Sequence, residues 1–399
     1  MVPLPLSRPK EPDSSDETQI GACAPVSYGF DARHVGETLR AYAIQRSAAS
    51  GDRAATVTAL ARWYLARFPL AQRGNRGWLT ALAPEIESMG VLVQSPELDP
   101  ESAHSLARLR VEPLIVTGDL LTAVDEVERA LQVVPQLTTG KVRLVLLTAG
   151  LLGDVGRVEE AIRRCDEGEA LIDSVGETDL WGSLRLLSPK PLLLARSADP
   201  TALVEAETLA RAQVAAATTP HERADARFRL ALVVSASGRD VTDLDREVAA
   251  LAREVGDQVL AAISLKNLAE ESLRHGALPQ AAAHQLEALR YSTELGMQHI
   301  TAFGLIAAAR IAESLGHDAD AVRLHAKAEM ILAETGVQMY PEDEASNAAM
   351  LARATNHLGA ARYNAERDAG ARLKPEEALV GAESVLSAAM SPSEPVPKM

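Results

Sequence analysis

The sequence predicts an all-α protein, and three observations support that prediction. Hydrophobic residues make up 47 % of the 399-residue chain, whereas aromatic residues make up only 3 %. An interior rich in alanine and poor in aromatic residues suits closely packed helices, because β-sheets favour aromatic and β-branched side chains. Apolar residues also recur every three or four positions, and glycine-containing turns separate these stretches. We therefore expect helices throughout the folded part.

The first helices follow a leader that is rich in Pro, Ser, Asp and Glu. Residues 1–27 contain little apolar surface to bury, so we expect them to be disordered. A helix is predicted over residues 31–50, with Gly51 as its stop. A second helix covers residues 53–68 and ends before a proline, and a third runs over residues 78–93.

Beyond residue 99 the chain repeats itself. Three turn glycines, Gly238, Gly276 and Gly316, are spaced 38 and 40 residues apart. A helix with a narrow apolar stripe follows each of these turns, which is typical of a helical hairpin slightly longer than the ~34-residue tetratricopeptide (TPR) unit. Stacked hairpins of this kind predict a TPR-like α–α superhelix, that is, a helical-hairpin solenoid.

Helix starts and one interruption are marked independently of the apolar pattern. Thr219, Pro220 and Glu222 have the spacing of a capping box with proline at the first helical position. Two prolines, Pro189 and Pro191, interrupt the helical pattern within residues 186–194 and predict a bend in the array. The predicted organisation is a disordered leader (1–27), an N-terminal helical segment (28–110), TPR-like repeats (111–340), C-terminal capping helices (341–385) and a disordered tail (386–399).

Several short motifs resemble one protein family. Residues 37–52 contain ETLRAYA and ASGD, and Trp78-Leu79, Leu82 and Glu85 follow a WL..L..E pattern. The C-terminal motif residues are Pro341, Leu358-Gly359, Tyr363, Gly370, Leu373 and Glu376-Glu377-Ala378. These motifs are similar to the C-terminal TPR-like repeat region of STAND-class ATPase and LuxR-type transcriptional regulators of the actinobacterial type. The resemblance implies a sensory and regulatory repeat region, without the ATPase and DNA-binding modules, whose partner is a regulator ATPase.

Composition and motif searches argue against several function classes. A formal charge of −15 disfavours nucleic-acid binding, since phosphate neutralisation needs a basic patch. Gly140-Lys141 lacks the first glycine of a P-loop, and valine follows it in place of Ser or Thr. No apolar run reaches the ~20 residues that span a bilayer. With two distant cysteines and no targeting signal, we expect a cytoplasmic protein without a cofactor.

Catalytic and metal-binding residues are likewise not nominated. Adjacent acidic pairs on helices point about 100° apart and do not converge on one substrate atom. The nearest metal-ligating set surrounds one turn, but a helix cap and solvated side chains explain it better. That set is His317, Asp318, Asp320 and His325.

Two functions follow from the sequence, and they differ in what the concave face binds. The first is a non-enzymatic helical-repeat protein that binds a protein partner. The alternative is a small-molecule sensor with a pocket inside the superhelix, lined by aromatic residues that equally suit the core: Trp63, Tyr64, Trp78 and Trp181. An open charged groove would favour the first function, and a closed apolar pocket the second.

Overall fold

A computed structural model of the protein describes residues 52–69, 76–175, 183–197, 200–337, 339 and 341–391. Within these ranges the chain is almost entirely helical and contains no strand, which confirms the predicted all-α class. The predicted leader, the predicted helix over residues 31–50 and Trp181 lie outside the described residues.

Most of the described helices succeed one another through short turns. The first eight are α1 (Arg53–Arg67), α2 (Arg76–Leu82), α3 (Ile86–Val93), α4 (Pro100–Thr117), α5 (Leu120–Val133), α6 (Thr139–Asp154), α7 (Val158–Val175) and α8 (Lys190–Arg196). They are followed by α9 (Pro200–Ala216), α10 (Pro220–Ala236), α11 (Thr242–Val255), α12 (Gln258–Arg274) and α13 (Leu278–Leu295). The last are α14 (Gln298–Ser314), α15 (Asp318–Thr335), α16 (Pro341–Leu358), α17 (Ala360–Ala371) and α18 (Pro375–Met390).

Two predicted boundaries differ from the structure. The helix predicted over residues 78–93 is divided into α2 and α3 by a 3-10 turn at Ala83–Glu85, because Pro84 removes a backbone N–H from the helical ladder. At the other end, the tail predicted to be disordered from residue 386 is helical as far as Met390. Leu386 and Ala389 are buried there, so apolar packing extends the last helix beyond the predicted boundary.

The turns of the array share one geometry. At the end of α12, Gly276 has φ +70°, and the N–H of Ala277 donates to the carbonyl of Ser272 at 2.8 Å. This is a Schellman-type cap, whose left-handed residue is favourable only for glycine. A second series of such glycines, Gly256, Gly296 and Gly336, separates the hairpins from one another. The sequence prediction missed this series.

Helical hairpins built by these turns pack through small residues. In the regular part, α12 packs along α13 and α14 along α15. A Cβ added to Gly304 on α14 would lie 2.8 Å from Leu289 Cδ1 and 2.9 Å from Gln285 Nε2. The missing side chain therefore sets how closely α13 and α14 approach each other. The C-terminal helix α18 lies across α13, α14 and α15, and α17 packs on α15.

One buried polar residue recurs at the same place in three successive hairpins. Asp245, Gln285 and His325 lie on α11, α13 and α15, 40 residues apart, and are only 1 %, 1 % and 3 % exposed. One polar atom of each side chain is buried without a hydrogen-bond partner. The 40-residue period is thus present in the buried polar positions as well as in the turns.

The superhelix returns onto its own first hairpins. Helix α14 contacts α4, and α13 contacts α2. Leu295, Met297 and Ile300 join the same apolar core as the first helices. A Cβ added to Gly118 would lie 2.8 Å from His299 Nδ1. We call this contact between α13–α14 and the N-terminal helices the closure, because it brings the array back to its first helices.

Candidate ligand-binding cavity

A cavity of about 750 Å³ lies inside the superhelix. Its walls are built mainly from alternate helices of the array, which are α4, α6, α8, α10, α12, α14 and the first turn of α16. Alternate helices line the interior because in each hairpin one helix faces inward and its partner packs outside. The cavity therefore depends on nearly the whole array.

Helical periodicity places the lining residues. On α12 the residues facing the cavity include Val259, Ile263 and Lys266, spaced three or four residues apart, and on α14 they include His299 and Phe303. Such spacing brings side chains to one face of a helix. On α4 and α6 the lining residues lie toward the C-terminal ends, whereas on α12 and α14 they lie in the N-terminal turns.

Most of the cavity wall is apolar. Its two aromatic side chains, Phe228 and Phe303, come from α10 and α14. The aliphatic and thioether lining comes from nearly every helix of the wall and consists of Ile115, Val116, Leu120, Leu147, Val158, Leu192, Leu232, Val259, Leu260, Ile263, Met297, Ile300, Val337 and Met339. A surface of this composition favours an apolar ligand.

Charged groups of the wall are already engaged within the protein. Arg108 Nη2 lies 2.6 Å from Glu112 Oε1, and Arg196 Nη1 lies 2.9 Å from Asp154 Oδ1. The wall therefore contains opposite charges that neutralise each other locally.

Three further charged groups of the wall also have a partner within the protein, one of them a carboxylate and two of them backbone groups. Lys266 Nζ lies 3.2 Å from Glu270 Oε1 and 5.3 Å from the centre of the Phe303 ring. Arg229 donates to the carbonyl of Leu186 at 2.7 Å, and Asp257 accepts from the N–H of Leu260 at 2.9 Å. The Lys266 side chain is only 12 % exposed, so its ion pair and aromatic contact offset the cost of burying the ammonium.

His299 is the polar residue of the wall with an unsatisfied ring nitrogen. Its Nδ1 is buried without a hydrogen-bond partner and is packed against Gly118 at the closure. Burial lowers the pKa of His299 to about 4; Asp154 opposes this shift and Lys266 reinforces it. The imidazole is therefore neutral at physiological pH.

Comparisons with known proteins give a fold likeness and no family. No protein-family model matches the sequence, and no curated protein matches it. A solved structure with a similar fold is described as a Rap protein complexed with competence and sporulation factor. The TM-score is 0.47 at 13 % identity, over 90 % of this chain and 99 % of that chain. Within the described residues, no helix is long and apolar enough to cross a membrane.

The aromatic residues singled out in the sequence do not line this cavity where the structure describes them. Trp63 is 42 % exposed, with the Arg67 guanidinium 5.2 Å from its ring. Tyr64 is buried and donates to Glu85 Oε2 at 3.0 Å. Trp78 is buried and meets Phe68 edge-on, with ring centres 6.1 Å apart. Tyr64 and Trp78 thus belong to the core of the N-terminal helices.

Two of the candidate metal ligands, Asp318 and His325, lie beside other side chains. Asp318 Oδ2 lies 3.1 Å from His357 Nδ1, and His325 Nδ1 lies 3.7 Å from Glu329 Oε1. A different group, Asp240, Glu271 and His275, places its ligand atoms within 4.8 Å of one another. Glu271 in that group is paired with the adjacent guanidinium of Arg274, so a salt-bridge network accounts for the cluster.

The sequence prediction did not identify Phe228, Lys266 and His299 as parts of a site. The sequence pattern that could have indicated the cavity wall is the alternation of polar and apolar residues on every second helix. Helical spacing cannot distinguish a concave wall from a core face, because both are apolar stripes of the same period.

Proposed function

We propose that the protein is a non-enzymatic helical-repeat sensor that binds a small molecule inside its superhelix. The observation that carries the proposal is the apolar cavity of about 750 Å³, whose charged groups are largely engaged within the wall. This apolar lining corresponds to the pocket expected for the small-molecule alternative. The volume also lies within the range of roughly 300–1,000 Å³ found for ligand pockets.

The proposal also includes a protein partner, which binds outside the cavity. The cavity wall runs from α4 to α16, so a ligand contacts both sides of the closure. A ligand that contacts the closed array better than an open one shifts the equilibrium between them. We propose that a protein partner binds the outer surface and distinguishes the closed array from the open one. The family resemblance implies a regulator ATPase as this partner.

Ligand capture is tested with N-phenyl-1-naphthylamine, a neutral apolar dye that fluoresces on leaving water. We expect saturable binding at one site, and a loss of at least about tenfold in affinity when Ile263→Trp fills the cavity from α12. Val380→Trp is the matched control, because Val380 on α18 is 67 % exposed. Leu232→Trp fills the same space from α10, so the result does not depend on one variant.

Two results would overturn the proposal. Wild-type protein that gives no saturable fluorescence would exclude the cavity as a binding site for apolar molecules. Unchanged affinity in both tryptophan variants, with unchanged helical circular dichroism, would place the dye elsewhere. The non-enzymatic part is contradicted by ATP hydrolysis at a rate that follows the concentration of the protein.

A further inference from the structure

The charges of the cavity wall restrict the charge of its ligand. Arg108, Arg196 and Lys266 each have a carboxylate within 3.2 Å, and Asp257 accepts a backbone hydrogen bond. Three of the four cations of the wall thus have a carboxylate partner, and a charged ligand group that loses its water in an apolar site without a close countercharge is strongly disfavoured. Glu344 is exposed at the edge of the cavity, where water can solvate it. The wall therefore favours a neutral ligand.

His299 supplies a hydrogen-bonding group that the closure leaves unused. Its Nδ1 is sealed against Gly118, so the ring meets the cavity with its Nε2 edge. A proton on Nδ1 would leave a buried N–H without an acceptor, and such orphaned donors are rare in folded proteins. The proton therefore belongs on Nε2, which is then a donor to a ligand oxygen.

The surroundings of His299 suit an apolar ligand body. Phe303 lies one helical turn further along α14, on the same face, and Ile263 lines the wall from α12. Residues four apart on a helix are neighbours, so an aromatic surface lies next to the imidazole. The site offers one neutral donor beside apolar side chains, with the paired Lys266 ammonium next to the Phe303 ring.

We infer that the ligand is an electrically neutral, largely apolar molecule with a hydrogen-bond-accepting oxygen, and that His299 is the specificity-determining residue that binds this oxygen. The inference rests on the proposed function, since it concerns the same cavity. The volume of the cavity alone does not define the chemical class of the ligand.

The charge requirement is tested with two dyes that differ by one sulfonate. N-phenyl-1-naphthylamine is neutral, and 8-anilinonaphthalene-1-sulfonate has the same ring system with a negative charge. Counting only the binding that Ile263→Trp removes, we expect the neutral dye to bind at least about tenfold more tightly. Equal affinities in the cavity would overturn the inference that the ligand is neutral.

The role of His299 is tested with prodan, a neutral naphthalene dye that carries a ketone oxygen. The loss of one hydrogen bond of about 1 kcal/mol predicts a roughly fivefold weaker Kd in His299→Leu. The emission should also shift to the blue. His299→Gln retains a donor and should restore most of the affinity. The affinity of N-phenyl-1-naphthylamine, which lacks an oxygen, should change less than about twofold in both variants.

Each outcome of the prodan test has a distinct meaning. If prodan binds His299→Leu as tightly as wild type, His299 does not bind the oxygen. If the neutral dye without oxygen loses affinity equally, His299 is only a structural part of the closure, and the inference also fails. If no dye saturates the wild-type protein, the proposed function itself fails.

Discussion

The regular array from α10 to α15 and the irregular stretch from α1 to α8 are stabilised in different ways. In the regular array, left-handed glycines from Gly256 to Gly336 recur every 20 residues and end the helices. In the irregular stretch, left-handed glycines follow only α4 and α6 among the described turns, at Gly118 and Gly156, and long-range polar contacts also fix the helices. His104 Nε2 and Nδ1, for example, lie 2.9 Å from the Val134 carbonyl and 2.8 Å from Thr138 Oγ1. Local turn signals thus recur throughout the regular array, whereas the irregular stretch has fewer of them.

This difference determines where the cavity lies. The regular hairpins supply an inner wall of constant spacing, while the irregular helices supply the surface against which the array closes. Neither region encloses the space alone. The following experiments test whether the two regions are independent in stability, beginning with the largest expected effect.

The largest effect is expected from Leu289→Asp in the seam between α13 and α14. Leu289 is buried against Gly304, so the substitution places an unpaired charge in an apolar seam and should cost roughly 3–5 kcal/mol. Hydrogen exchange should show lost protection in α12 to α15, while α4 to α6 stay protected. Val380→Asp is the exposed control. Uniform loss of protection would mean that the two regions unfold as one cooperative unit.

A smaller change in stability is expected when either of two helix-interior glycines is replaced by alanine. Its sign should differ between the two regions. Gly304→Ala in the regular array would overlap the side-chain ends of Leu289 and Gln285. It should destabilise the protein by up to about 2 kcal/mol, because overpacking costs about 1–3 kcal/mol and the helix preference of alanine returns about 0.5–1 kcal/mol. Gly150→Ala in α6 has no atom within 4 Å of the new Cβ. It should stabilise the protein by about 0.5–1 kcal/mol, because alanine favours helix. Chemical denaturation measures both; equal effects would contradict the close packing at Gly304.

The third effect depends on pH and concerns Asp245, which is buried between α11 and α12. Burial raises the pKa of Asp245 from 3.8 to about 7; Asn267 and Lys266 oppose the shift, and Glu271 and Glu270 add to it. Between these pH values the folded state retains a proton that the unfolded chain releases. The contribution of Asp245 to stability is therefore complete below pH ~4 and is lost as the pH rises through ~7.

Replacing Asp245 with Asn removes this titration. At pH 8 we expect Asp245→Asn to be more stable than wild type by about 1–2 kcal/mol, a fraction of the ~4 kcal/mol that the full pKa difference represents. Near pH 4 the gain should disappear. Thermal unfolding at the two pH values measures the difference. A gain that is equal at both pH values would show that Asp245 does not titrate in this range.

The smallest expected effect is the loss of stability when a helix N-cap is removed, and it should be equal in the two regions. Thr219 caps α10, accepting from the N–H of Glu222 at 3.2 Å, and Asp99 caps α4, accepting from the N–H of Ser102 at 2.9 Å. Thr219→Ala and Asp99→Ala should each cost about 1 kcal/mol, since each leaves a helical N–H without its cap. Denaturation midpoints measure both losses. A much larger loss at one cap would show that the capped turn also has a tertiary role.

The sequence predicted the fold where the signals are local. Apolar stripes and the glycines at 238, 276 and 316 marked the hairpins, and the structure places left-handed glycines at these turns. Gly296 was missed because it lies between Leu295 and Met297, both of which are buried. The apolar residues continue on both sides of Gly296, so the glycine alone marks the turn.

The candidate site was less predictable than the fold. The sequence drew attention to rare aromatics, of which Tyr64 and Trp78 fill the core and Trp63 lies half exposed outside the cavity. The side chains of the wall, such as Phe228 and Phe303, have the same spacing as core residues. The closure determines whether an apolar helix face packs in the core or lines the cavity. The closure is a contact between residues about 180 positions apart, such as Gly118 and His299.

The closure also limits how this protein can change through gene duplication. An open solenoid can gain or lose a hairpin without disturbing the others, because each hairpin contacts only its neighbours. Here an additional hairpin between α5 and α14 would carry His299 away from Gly118, and Gly336 away from Leu121. The array would no longer meet its own beginning, and the cavity would lose a wall. Descendants of this chain are therefore expected to vary in side chains and loops while retaining the same number of hairpins.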